Sequence, residues 1–286
     1  MQKFSPAELA VLFNHIEADD EIDPAALLPG RVDFSCSDAE RQACYHMALQ
    51  LLNSYADKQA LLRLVLTITW QRAADAAQIA AFRKARTCFK HMRFCCANFD
   101  ARHRYPRHLN QVTALMGKLQ DAIINRQKTK ITLFGTWLRF MLSPVSCYFL
   151  QQRLAAYRPD SDKHYYRQLN RENERLAQFM AREPLRGTGQ ELHRLRKIIS
   201  RRVALNDALR SLRPSAELNA VSLYLATLNG MLGDVHDRLI KWDATGIYDY
   251  KRHVFTLSPA ITDRLKAFLN SQIRYSPPHR LEKPAI

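Results

Sequence analysis

The sequence is poor in residues that interrupt helices. Only 8 of its 286 residues are Gly, and most of the 12 Pro lie near the ends of longer segments. Ala, Leu, Arg, Gln and Lys, which favour helix, fill the stretches between them. Because alternating runs typical of strands are also hard to find, the sequence predicts an all-α protein, long enough to bury a sizeable core.

Long apolar runs are missing as well. The most apolar stretch, Trp137–Leu150, contains Arg139 and Pro144 and falls short of a bilayer span. Near the start, Glu8 and Glu17 place charges where a signal peptide would have its apolar core, and no such apolar core is present. We therefore expect a soluble, cytoplasmic protein with no membrane partner.

No Cys-x-x-Cys pair occurs among the six cysteines. Without an export signal, this pattern favours reduced thiols over disulfides. Cys88 and Cys95 fall on the apolar side of a predicted helix, so we expect both to pack in the core.

Acidic residues are outnumbered, since 43 Lys and Arg against 27 Asp and Glu give a formal net charge of +16. Such a field attracts nucleic acid, anionic membranes or polyphosphate, and it does not choose among them. One acidic run, Glu17–Asp23, precedes breaks at Pro24 and Pro29-Gly30. We interpret this run as a solvated loop; the alternative is that it covers a basic groove.

Capping residues, Pro and Gly divide the chain into helices, the first long one beginning at the capping box Ser37-x-x-Glu40. The predicted helices span 6–16, 38–56, 58–76, 79–100, 107–127, 131–142, 145–157, 161–182, 190–211, 216–242 and 259–272. The predicted organisation is a peripheral segment 1–36, helical domains at 37–157 and 158–272, and a flexible tail 273–286.

Two segments, Phe82–Arg93 and Leu192–Val203, align without gaps, and each has an apolar and a basic face. Only Arg202 breaks the apolar face of the second. The basic residues of the first are Arg83, Arg86, Lys90 and Arg93, and those of the second are His193, Arg196, Lys197 and Arg201.

A second matched pair follows, in which Gly117-x-x-x-Asp121 and Gly233-x-x-x-Asp237 both lie in mid-helix. A mid-helix Gly costs about 1 kcal/mol relative to Ala, so two at equivalent places predict close helix–helix contact. We expect Asp121 and Asp237 to pair with arginines of the neighbouring basic helix.

These paired motifs resemble the conserved-histidine α-helical (CHAD) domain. His193-x-x-Arg196-Lys197-x-x-x-Arg201 with Gly233-x-x-x-Asp237 is similar to one copy of its repeat, and Arg83-x-x-Arg86-x-x-x-Lys90-x-x-Arg93 with Gly117-x-x-x-Asp121 to the other. The resemblance covers about residues 38–272. It implies two four-helix bundles related by a pseudo-two-fold, a basic central cleft that binds inorganic polyphosphate, and recruitment to polyphosphate granules.

The sequence departs from that family at four positions. Arg83 stands where the motif carries His, Ser200 replaces a basic residue, and Gln120 and His236 stand where Arg often precedes the Asp. Some family members also carry a triphosphatase domain with a Glu-x-Glu-x-Lys strand motif, which we do not find here. We therefore expect a non-catalytic polyphosphate binder without cofactor or metal.

Arginine supports a phosphate ligand independently of the family, because its fork holds phosphate oxygens bidentately. Side chains at i, i+3 and i+4 lie about 5–6 Å apart at Cβ, so a flexible phosphate chain can touch several of them.

Two other classes of function remain open. His236-Asp237 suits a helical metal phosphohydrolase, with His193, Asp207 and Asp243 as nominal further ligands. We interpret His236 as an ordinary helix residue, and no P-loop or nucleophile-elbow motif occurs. Basic helices also suit nucleic acid, although no helix-turn-helix or RNA-recognition signature is present.

Overall fold

A computed structural model describes residues 2–182 and 185–273, and within those ranges the chain forms eleven helices. The predicted all-α class is confirmed. Regular strand among the described residues is limited to β1 (Arg186–Thr188) and β2 (Val254–Thr256), which pair antiparallel. No helix in the described part of the chain is long and apolar enough to cross a membrane. Of the predicted tail, residues 274–286 lie outside the described ranges.

The helices follow the predicted order, with ends within a few residues of the prediction at most places. They are α1 (Pro6–Glu17), α2 (Asp38–Tyr55), α3 (Lys58–Gln71), α4 (Ala76–Phe99), α5 (Arg107–Ile124), α6 (Lys128–Met141), α7 (Pro144–Ala155), α8 (Asp162–Met180), α9 (Gly189–Leu212), α10 (Ala216–Ala244) and α11 (Pro259–Ser271).

Local capping explains where the helix ends agree and where they differ. The Ser37–Glu40 capping box is confirmed, with Ser37 N donating to Glu40 Oε2 at 2.7 Å. By contrast, α3 was predicted to run to residue 76 and ends at Gln71, because Arg72 adopts a left-handed φ of 53°. Asp75 then caps α4 through a second capping box with Gln78.

The chain divides into two compact units that cut across the predicted N-terminal segment 1–36. Unit 1 comprises the chain up to Glu17 together with Gln42–Arg158, and unit 2 comprises Ala18–Arg41 with the chain from Pro159 onward. In unit 1, α1 packs on α4, and Phe13 stacks on Tyr55 with ring centroids 4.9 Å apart. The segment before α2 is therefore shared between the two units.

Unit 1 contains a closed four-helix bundle. Contacts join α3 to α4, α4 to α5, α5 to α6 and α6 back to α3, with α7 packed on α6. Gly135 allows α6 to approach α3 closely, because a Cβ at this position would lie 2.1 Å from Thr69 Oγ1. The core of this bundle is built from the apolar face of α4, including Phe82, Phe89 and Met92, all at most 1 % exposed.

Unit 2 has the same cyclic arrangement, in which contacts join α8 to α9, α9 to α10, α10 to α11 and α11 back to α8. Its interior also holds charged groups. Arg41 is fully buried and donates to Cys36 O, Asp160 O and the Asp162 carboxylate at 2.7–3.0 Å. These bonds satisfy the two terminal nitrogens of the guanidinium and tie the segment before α2 to the start of α8.

All six cysteines are free and buried, and the predicted core position of Cys88 and Cys95 is confirmed. Burial raises the pKa of Cys88 and of Cys96 to about 12, and that of Cys36 to about 11. These groups are therefore protonated thiols at neutral pH and serve as small apolar residues.

A buried carboxylate in unit 2 should make stability depend on pH. Burial raises the pKa of Asp207 from its ordinary 3.8 to about 7, although Arg210 and Ser222 hydrogen-bond to it and favour the charged form, while nearby Asp19 disfavours it. Because the folded state holds this proton more tightly than the unfolded state, the free energy of unfolding should fall as pH rises through about 4–7. Asp207→Asn should flatten that slope in denaturant titrations.

The matched control for this prediction is Asp263→Asn, an exposed carboxylate on α11. An unchanged pH slope in Asp207→Asn would show that Asp207 does not carry the titration.

Candidate functional site

Helix α4 buries the predicted apolar face, which turns its basic residues outward. Phe82, Ala85, Cys88, Phe89, Met92 and Cys95 are all buried. Arg83 is exposed, whereas Arg86, Lys90 and Arg93 are half-buried. The predicted division of α4 into a buried apolar side and an outward basic side is therefore correct. Three of its four cationic side chains are partly covered by neighbouring residues.

Arg86 lies against the mid-helix glycine of α5. A Cβ added at Gly117 would lie 3.4 Å from Arg86 Nη2 and 3.9 Å from its Nε. The guanidinium thus rests on the α5 backbone at the level of Gly117. An arginine side chain, rather than the backbone of a neighbouring helix, lies against this glycine, so the predicted close helix–helix contact stays a prediction.

Arg93 is held by aromatic rings and polar groups. Its guanidinium carbon lies 4.8 Å from the ring centroid of Phe94 and 4.9 Å from that of Tyr105. Its Nη1 also lies 3.3 Å from Thr113 Oγ1 and 3.4 Å from Asn110 Oδ1. Cation–π contact and hydrogen bonds therefore orient this fork.

Helix α9 repeats the arrangement in unit 2. It buries Leu192, Leu195, Ile198 and Ile199, and it leaves His193, Arg196, Lys197 and Arg201 half-buried. The interruption predicted at Arg202 is real, since this residue is 1 % exposed. Its charge is balanced by Glu172 on α8, whose carboxylate lies 3.4 Å away.

Arg196 occupies the place in unit 2 that Arg86 occupies in unit 1. A Cβ at Gly233 of α10 would lie 2.8 Å from Arg196 Nη2 and 3.2 Å from its Cζ. Among the described residues, none forms a salt bridge with Arg196. Its position is set by packing on the glycine, so the positive charge stays available to a ligand.

An aromatic cluster adjoins Arg196. The His193 ring stacks on that of His236 with centroids 5.2 Å apart, and His236 meets Tyr250 edge-on at 5.8 Å. Tyr250 lies over Gly189, where a Cβ would clash with its ring at 2.4 Å. Burial raises the pKa of Tyr250 to about 12 against the opposing field of Arg196. Sequence reasoning missed Tyr250, because it follows α10 in a loop without a recognisable motif.

Arg201 differs from the other predicted phosphate contacts. Its Nη2 and Nε both lie 2.6 Å from Glu172 Oε1, and the two side chains are 13 % and 3 % exposed. Glu172 therefore engages both Arg201 and Arg202 where α8 packs on α9. The geometry gives Arg201 a structural partner, and its predicted role as a ligand for phosphate stays a prediction.

His236 and Asp237 form a pair but not a recognisable metal centre. His236 Nδ1 lies 2.9 Å from Asp237 Oδ1. Among the described residues, neither belongs to a group of three potential metal ligands within 4.8 Å of one another. Of the nominal further ligands, Asp207 is bonded to Ser222 and Asp243 accepts from Tyr250 N, whereas His193 stacks on His236. This pair carries no metal-site proposal, and the pairing of Asp121 and Asp237 with arginines stays a prediction.

No protein-family model, curated protein or solved structure matches the chain in the comparisons with known proteins.

Proposed function

We propose that the chain binds inorganic polyphosphate without catalysis, through a basic surface in each unit. The observation that carries the proposal is the repeated packing of an arginine on a mid-helix glycine, Arg86 on Gly117 and Arg196 on Gly233. In both units a half-buried guanidinium lies between consecutive helices of a four-helix ring, with further cations along the same helix.

The physical reason for a phosphate ligand lies in how these cations are held. A guanidinium fixed by packing loses little side-chain freedom on binding, and its fork matches two phosphate oxygens. Arg93 is fixed in the same way by two aromatic rings. A flexible polymer of phosphates can follow such a row of donors and release counterions at each contact.

The same positions carry the resemblance to the CHAD family. In each unit, the arginine of the basic motif packs on the glycine of the Gly-x-x-x-Asp motif: Arg86 on Gly117, and Arg196 on Gly233. The two short motifs of each repeat therefore supply the two sides of one contact. This supports a duplicated architecture with a pseudo-two-fold, in which α3–α6 correspond to α8–α11. That the protein associates with polyphosphate granules in the cytoplasm is part of the same proposal.

The experiment is calorimetric titration of purified protein with long-chain polyphosphate over a series of salt concentrations. Saturable binding with a steep salt dependence, and no release of orthophosphate, is the expected result. Metal-dependent release of orthophosphate that His236→Ala abolishes would favour the phosphohydrolase alternative.

The glycines allow function to be separated from stability. Gly233→Ala should displace Arg196, because the new Cβ would lie 2.8 Å from Nη2, and should weaken polyphosphate binding several-fold. Stability should hold or rise, since Ala is favoured over Gly in a helix by about 1 kcal/mol and the displaced atom ends a flexible side chain. Calorimetry and thermal denaturation measure the two effects.

Gly117→Ala is the matched control, because its Cβ would meet Arg86 Nη2 at an ordinary 3.4 Å. Its binding should change less than that of Gly233→Ala. Equal losses in both variants would contradict the idea that Arg196 is held in position by the glycine.

A further inference from the structure

Unit 1 leaves large apolar side chains in solvent on α3, α6 and α7. On α6 they recur at i, i+4 and i+7, on the side opposite the one that the helix buries. We call the apolar face the set of six residues that are between 51 % and 85 % exposed: Trp70, Leu133, Trp137, Phe140, Val145 and Phe149. Exposed aromatic residues in such number mark an interaction site rather than ordinary surface.

The members of this face lie on helices that contact one another. α6 packs on both α3 and α7. A recess of about 440 Å³ lies where the end of α3 meets α6, and it is lined by Arg72, Leu133 and Trp137 with three threonines of α6. Two members of the apolar face, Leu133 and Trp137, thus line a shallow depression that also contains the cation of Arg72.

The three helices that carry the apolar face contain no acidic residue. The stretch 122–159 contains no Asp or Glu, and α3 contains none either. The basic residues of that stretch are Arg126, Lys128, Lys130, Arg139, Arg153 and Arg158. An occupant of this face must therefore offer apolar surface together with negative charge.

The apolar side chains and the nearby cations favour one kind of binding partner for this face over another. A second copy of the chain would bring the same cations against this face, which like-charge repulsion opposes. An anionic bilayer instead offers phosphate headgroups to Lys and Arg, and an interface in which Trp and Phe side chains lie favourably. Aromatic insertion and charge attraction together provide the two signals that stable peripheral binding needs.

We propose that the apolar face of unit 1 docks on the surface of an anionic membrane, with Trp137 and Phe140 inserted at the headgroup boundary. Such binding is peripheral and needs no spanning helix. The expectation of no membrane partner rested on the lack of a long apolar run, which bears on a spanning helix and not on a peripheral contact. The polyphosphate proposal concerns the basic helices α4 and α9, whose apolar sides are buried. The apolar face lies on other helices, so the inference does not depend on polyphosphate binding.

The test is co-sedimentation with phosphatidylcholine vesicles containing about 30 % phosphatidylglycerol, at roughly physiological salt so that general charge attraction is screened. The native protein should sediment with these vesicles, and Trp137→Ser/Phe140→Ser should lose at least about tenfold in partitioning. Ile247→Ser/Val254→Ser, which removes two exposed apolar residues of unit 2, is the matched control and should bind as the native protein does.

A second measurement needs no change to the apolar face. In the Trp242→Phe variant, Trp70 and Trp137 are the remaining sources of tryptophan fluorescence. Brominated lipids should quench that fluorescence when the protein binds to the vesicles. Absence of quenching would overturn the proposal, as would equal sedimentation of the native protein and Trp137→Ser/Phe140→Ser. A native dimer in solution that this variant abolishes would assign the face to a second copy instead. Arg86→Ala/Arg196→Ala should still bind vesicles, which separates this face from the polyphosphate surfaces.

Discussion

Replacing Arg86 and Arg196 together with Ala should weaken binding of long-chain polyphosphate at least about a hundredfold, because each removes a charge-assisted contact of about 1.5–3 kcal/mol. The dependence of affinity on salt should also become flatter, since fewer counterions are released. Calorimetric titration at several salt concentrations measures both effects. The denaturation midpoint should hardly change, because each side chain rests on a glycine at the surface of its bundle.

The control for this double variant must remove the same charge. Arg63→Ala/Arg175→Ala takes one exposed arginine from each unit and should leave affinity within a few-fold of the native value. Arg264 is not suitable as a control, because its guanidinium donates to Pro24 O and Ala26 O at 2.6 and 3.0 Å and its removal would break both hydrogen bonds. If Arg86→Ala/Arg196→Ala unfolds instead, these arginines are structural partners of Asp121 and Asp237, and the phosphate proposal loses its main support.

Glu172→Gln should lower the free energy of unfolding by about 3–5 kcal/mol, because it leaves two nearly buried guanidiniums, Arg201 and Arg202, without a balancing charge. Denaturant titration measures the loss. Glu174→Gln, on the exposed side of the same helix, is the control and should change stability little.

Arg201 is the residue on which the structural and the functional interpretations differ most. If Glu172 holds it, Arg201→Ala should reduce stability and change polyphosphate affinity less than Arg196→Ala does. A large loss of affinity at unchanged stability would restore Arg201 to the ligand-binding set predicted from the sequence.

The helical content and the basic faces could be predicted because both follow from local pattern. The phase of Phe82, Phe89 and Ile199 decides which side of α4 and α9 is buried, and the cations then lie on the opposite side. The end of α3 could not be placed, since Asp75 and Gln78 form a capping box within a run of good helix formers. The short pairing of β1 with β2 joins segments far apart in sequence and leaves no periodic signal.

The partners of the charged side chains could not be predicted for a related reason. Arg202 interrupts an apolar face, and only the arrival of α8, about thirty residues earlier in the chain, supplies Glu172. Tyr250 reaches Gly189 through a loop after α10. In both cases the sequence shows an unusual residue, an arginine on the apolar side of a helix or a glycine at the start of one. It does not show which residue, Glu172 or Tyr250, contacts it.

The measurement that tests the central claim most directly is competition between long-chain polyphosphate and double-stranded DNA at equal concentrations of charge and equal salt. Selective binding through arginines fixed on glycines predicts that polyphosphate displaces DNA, and that Arg86→Ala/Arg196→Ala loses this preference. Equal affinity of the native protein for the two polymers would show that its net charge of +16 attracts any polyanion, and would contradict the proposed function.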